Sequence, residues 1–71
     1  MPIGYVIVEY NDLLHCEQTN HYSVTYRIYE DDYVDAILDG IRERCGPTWE
    51  AYARIIWIEG AEVYEVGYLD K

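Results

Sequence analysis

Phenylalanine is absent from this 71-residue chain, and serine and lysine occur once each, at Ser23 and Lys71. Arg27, Arg42, Arg44 and Arg54 complete a set of five basic residues against fourteen acidic ones, a formal charge of −9. Nucleic acid and anionic membrane surfaces are held by clusters of Lys and Arg, so so few cations disfavour direct binding to either. No apolar run approaches the roughly 20 residues of a membrane span. Residues 1–3 lead into a strand pattern without the basic start and long apolar stretch of a signal peptide, so a cytoplasmic protein is expected. Two cysteines in such a chain, Cys16 and Cys45, are expected to be reduced and buried rather than paired.

The same scarcity argues against chemistry. His15, Cys16, His21 and Cys45 show neither Cys-x-x-Cys nor His-x-x-x-His spacing, so nothing predicts a zinc site. A Cys–His nucleophile pair would also need an oxyanion donor and a pocket, which a small two-layer domain rarely offers. The acidic pairs Asp31-Asp32 and Asp35-Asp39 lack a calcium-loop pattern and a companion glycine. No glycine-rich phosphate loop is present. We therefore expect no catalytic residue, no cofactor and no metal, and rank binding well above enzyme action.

What is present is enough to fold. Half the residues are hydrophobic, but nine of them are tyrosines, whose hydroxyls favour half-exposed rings. A chain this short builds one core at most, so residues 1–71 are read as a single domain. Residues 3–10 are β-branched and aromatic, as in a central strand, and residues 11–20 form the longest connection. Residues 21–30 alternate, with Tyr22, Val24, Tyr26 and Ile28 facing the core. Helix signals start at Asp31-Asp32; Val34, Ile37, Leu38, Ile41 and Cys45 fall on one stripe, and Gly46-Pro47 ends it.

Residues 48–54 are compatible with either a further helical turn or a strand, while residues 51–58 read as a strand. Glu59-Gly60 reads as a two-residue turn into a last strand over residues 61–69, which sets Arg54 opposite Glu65, Ile56 opposite Val63 and Ile55 opposite Tyr64. The expectation is an α+β, two-layer ββαββ domain: an antiparallel four-stranded sheet with one main helix on one face. The other face would carry tyrosines, with Tyr5, Tyr10 and Tyr29 and some of Tyr52, Tyr64 and Tyr68 as candidates.

One pattern is more specific. Asp31, Asp35, Asp39 and Glu43 recur every fourth residue, with Asp32 beside them and Glu30 just before. In a helix that spacing stacks carboxylates about 6 Å apart along the axis. The repulsion costs roughly 0.2–0.5 kcal/mol per pair and is offset near the helix start by the macrodipole. Only Arg42 and Arg44 could relieve it locally, and neither sits in the line. A solvated helix face is the plain alternative.

Short length, the acid face from Glu30-Asp31-Asp32 to Glu43, tyrosine-rich strands and no catalytic signature together resemble the small acidic inhibitors encoded by bacteriophages, the anti-CRISPR and DNA-mimic proteins. That resemblance is of overall character and covers the whole chain. It implies a protein acting in the host cell cytoplasm, docked on the nucleic-acid groove of a basic nucleic-acid-binding protein or CRISPR effector subunit, with Glu30, Asp31, Asp32, Asp35, Asp39 and Glu43 as partner-binding residues. The alternative class is a homodimeric structural or accessory module whose open sheet face pairs with its own copy.

Overall fold

The computed structural model describes residues 1–12, 21–45 and 48–69. The element order is β1 (Gly4–Asp12), β2 (His21–Ile28), a 3-10 turn (Asp31–Tyr33), α1 (Val34–Cys45), β3 (Trp49–Trp57) and β4 (Glu62–Tyr68). The strands form one antiparallel sheet in the order β2-β1-β3-β4. β2 and β3 flank β1 and run the same way, so the chain needs a crossover between them, and α1 supplies it. This is the ββαββ domain expected, and residues 48–54 resolve as strand from Trp49 onward. The expected connection at residues 11–20 begins later than read, because Asn11 and Asp12 still pair with β3. His15, Cys16 and the Gly46-Pro47 stop lie outside the described residues.

The core lies between α1 and one face of the sheet. Leu38, Ile41 and Cys45 on α1 meet Val6, Val8 and Tyr10 on β1, Ala51, Ala53 and Ile55 on β3, Ile28 and Leu69. Val34 and Ile37 pack at its margin, so all five positions of the helix stripe face inward. The two alanines let the helix backbone approach β3 closely, since a larger side chain there would hold the layers apart. Towards β2, aromatic rings take over from the helix. Tyr10 stacks on Tyr22 with centroids 4.9 Å apart, Tyr22 meets Trp49 edge-on at 5.5 Å, and the Tyr10 and Tyr26 hydroxyls lie 3.3 Å apart.

Three of the candidate tyrosines thus lie off the open face of the sheet. Tyr10 is buried on the helix side, and Tyr64, opposite Ile55, points to the same side beyond the helix edge. Tyr29 lies past the end of β2.

A bulge in β4 decides where its end points. The pairing that sets Arg54 opposite Glu65 slips by one residue between Ala53 and Arg54, so that Ala53 meets Gly67 and Tyr52 meets Tyr68. Gly67 has φ +92°, a conformation glycine adopts without steric cost. The extra residue exchanges the two faces. Tyr68 turns to the open side, edge-on to Tyr52 at 5.0 Å, and Leu69 drops into the core with its N–H on the Ala51 carbonyl.

In the β3–β4 turn the Ala61 N–H donates to the Ile58 carbonyl at 3.3 Å, and Gly60 and Ala61 both have positive φ, +86° and +50°. The left-handed region costs an L-residue about 1–2 kcal/mol, part of which is recovered by glycine after its larger unfolded-state entropy is counted. Ala61→Gly is therefore expected to raise stability by about 0.5–1 kcal/mol, read as an increase of about 2–6 °C in Tm.

Candidate functional site

The acid line begins outside the α-helix. Glu30 has extended backbone (φ −143°, ψ 142°) and caps the 3-10 turn, its carbonyl accepting the Tyr33 N–H at 3.2 Å. Asp31 and Asp32 therefore belong to that turn, which corrects the reading of a helix starting at Asp31-Asp32. Within α1 the line runs Asp35, Asp39, Glu43, and all six carboxylate residues are exposed. Each four-residue step overshoots a helical turn by about 40°, so the line winds from the flank of the helix towards its crest.

Of the two arginines able to relieve the line locally, Arg42 does so: its Nη1 donates to Asp39 Oδ1 at 2.9 Å, one turn back. Both partners are largely exposed, so the pair contributes a few tenths of a kcal/mol and leaves Asp39 open to exchange for another cation. Asp35, Asp39 and Glu43 remain a ridge of carboxylates on the helix side of the molecule.

At the start of the ridge the fold adds two carboxylates that sequence reasoning missed. Glu59, in the β3–β4 turn, and Glu62, the first residue of β4, border the same recess as Asp31. Their sequence separation from Asp31 hides this; the signal would have been the sheet order, which brings the β3–β4 turn to the end of the sheet where the helix begins.

The open sheet face has a different character. Tyr5, Ile7, Ile56 and Val63 form its apolar part, judged by their register. Around them lie polar pairs: His21 Nδ1–H on Asn11 Oδ1 at 2.6 Å, Asn11 Nδ2 on Glu50 Oε1 at 3.3 Å, Arg54 Nη2 on Glu9 Oε1 at 3.4 Å, and the Tyr52 hydroxyl on Glu65. The Arg54 Nε is buried without a hydrogen-bond partner. With Arg27 and Arg54 set among Glu9, Glu50 and Glu65, this face is mixed in sign. The helix side is predominantly acidic, with Arg42 and Arg44 of the last turn of α1 as its cations among the described residues.

Two tyrosines have raised pKa values. Burial, then the Tyr26 hydroxyl, pushes Tyr10 well above the ordinary tyrosine range, and the hydrogen bond to Glu65 raises Tyr52. In both cases the folded state holds the proton that the unfolded state releases near pH 10. The neutral hydroxyls thus contribute stability that is fully present below about pH 10 and lost as pH rises above it. Denaturant titrations at rising alkaline pH are expected to show stability falling by about 1.4 kcal/mol per pH unit for Tyr10, and less steeply in Tyr10→Phe.

Among the described residues no group of three or more His, Cys, Asp or Glu side chains is placed to hold a metal ion, and no helix is long and apolar enough to cross a membrane. Cys45 is buried at the end of α1, its Sγ–H donating to the Trp49 carbonyl at 2.9 Å. Comparison with protein-family models, with curated proteins and with solved structures gives no match.

Proposed function

We propose that this chain is an acidic protein-binding inhibitor, of the anti-CRISPR or DNA-mimic kind, that blocks the nucleic-acid-binding groove of a bacterial nucleoprotein complex. The observation that supports it is the exposed ridge Asp35, Asp39 and Glu43 continuing from Glu30, Asp31 and Asp32, on a body with a formal charge of −9. Long-range attraction steers such a ridge to a positive groove, and short-range packing then holds it. The ridge's carboxylates stand about 6 Å apart along the axis against about 3.4 Å for the phosphates of one strand, so the imitation is of sign and rough line rather than of register. No side chain is asked to do chemistry.

The test is capture from a bacterial lysate by the immobilised protein at low and moderate salt. Nucleic-acid-binding proteins retained at low salt and released as salt rises would support the reading, because screening shortens the reach of exposed charge. Retention of no such protein would overturn it.

One observation favours a second reading. The uncovered face carries Val63 and Tyr68, both more than half exposed, beside Tyr5, Ile7 and Ile56, and a second copy could cover it. Concentration-dependent mass in sedimentation would support that homodimer; a constant monomer mass would remove it.

A further inference from the structure

The recess at the start of the ridge is built from three separate segments. Its walls are Ile3, Asp31, Val34, Trp57, Glu59 and Glu62, and its volume is about 670 Å³. The position of Ile3 is fixed from both sides: its N–H donates to the Ile28 carbonyl at 2.7 Å, and its carbonyl accepts the Ile58 N–H at 3.1 Å. Trp57 is fixed by its pairing with Gly4, and the missing Cβ of that glycine gives the indole room to lie against the strand. The apolar floor is therefore held in place by backbone, while Asp31, Glu59 and Glu62 stand exposed around it.

From this geometry we propose that the recess is a socket for one arginine side chain of a partner protein. The proposal rests on the groove-docking reading for the partner's being basic, and it adds the contact that fixes register. Among the described residues three carboxylates and no basic residue line the recess, so its complement carries positive charge. An apolar floor of Ile3, Val34 and Trp57 suits a cation with an aliphatic stem. An indole wall beside carboxylates favours guanidinium over ammonium, because the planar fork both stacks on an aromatic face and pairs with carboxylate oxygens. The positive end of the α1 dipole lies near, equivalent to roughly half a charge, and the three carboxylates outweigh it.

The test uses the isotope-labelled full chain and three blocked amino acids as probes: N-acetyl-arginine amide, N-acetyl-lysine amide and N-acetyl-norleucine amide, at constant ionic strength. Arginine amide is expected to give saturable NMR shifts at the Trp57 indole N–H and at the Val34 and Glu62 amides. Lysine amide is expected to bind several-fold more weakly and norleucine amide not to saturate. The double variant Glu59→Gln/Glu62→Gln, altered at two exposed positions, is expected to weaken arginine binding about fivefold or more. Norleucine amide shifting the same resonances equally would overturn the socket, as would arginine shifts spread without saturation along Asp35, Asp39 and Glu43. Failure of the socket alone leaves lysate capture by the ridge intact. Saturable arginine binding without any capture of nucleic-acid-binding proteins would instead support the socket and remove the groove reading.

Discussion

Changing Asp35, Asp39 and Glu43 together to lysine is expected to weaken binding to a basic nucleic-acid groove by about 100-fold or more, because like charges facing one another cost several kcal/mol. The substitutions raise the formal charge by six, from −9, and place three ammonium groups where the groove meets three carboxylates. All three positions are exposed, and none belongs to the core of Leu38, Ile41 and Cys45. The fold is therefore expected to survive, with a circular dichroism spectrum like that of the parent. Asp39 loses its bond to Arg42 in the variant, a change of a few tenths of a kcal/mol that stability measurements would resolve separately from binding. Equal affinity of parent and variant for the same partner would mean that the ridge is a solvated helix face.

The largest expected effect on stability comes from Gly4→Ala. A Cβ at that position would stand 2.7 Å from the Ile56 carbonyl oxygen and 2.9 Å from the Trp57 ring. The carbonyl belongs to the central β1–β3 ladder and cannot move without breaking the pairing of Gly4 with Trp57. Overpacking of this kind costs about 1–3 kcal/mol, a large share of what holds so small a domain together. A Tm lowered by about 5–15 °C is the expected result. Gly40, half-buried on α1, has open space around its missing Cβ, so Gly40→Ala serves as the control and is expected to hold or raise stability.

Much of this fold is legible in the sequence because its periodicities are unmixed. The stripe from Val34 to Cys45 repeats at helical spacing, and the alternation from His21 to Ile28 repeats at strand spacing, so each element declares which side it buries. The turn at Glu59-Gly60 is equally readable, and it fixes the partners of Arg54, Ile55 and Ile56 in advance. The bulge is not readable. Gly67 could serve any of several purposes in a strand, and only the slip between Ala53 and Arg54 reveals that it exchanges Tyr68 and Leu69 between faces. Tyr10 misleads for a related reason: a tyrosine in a mainly apolar strand fits either face until its hydroxyl finds Tyr26.

The candidate site divides along the same line. The ridge residues are local in sequence and follow from helical spacing alone. The one correction to it, the 3-10 geometry at Asp31–Tyr33, is local too, as is the reach of Arg42 to Asp39. The recess combines Ile3, Asp31 and Val34 with Trp57, Glu59 and Glu62, and residues so far apart meet only once strand order and crossover are known.

The central claim is that the ridge competes with nucleic acid for one groove. The direct measurement takes the nucleoprotein captured from lysate, loads it with fluorescently labelled nucleic acid, and titrates in the acidic chain while following anisotropy. Displacement that requires proportionally more inhibitor as nucleic acid is raised, weakens with salt and fails with the lysine variant is the result predicted. A ternary complex in which the nucleic acid stays bound, or displacement by parent and variant alike, would contradict it.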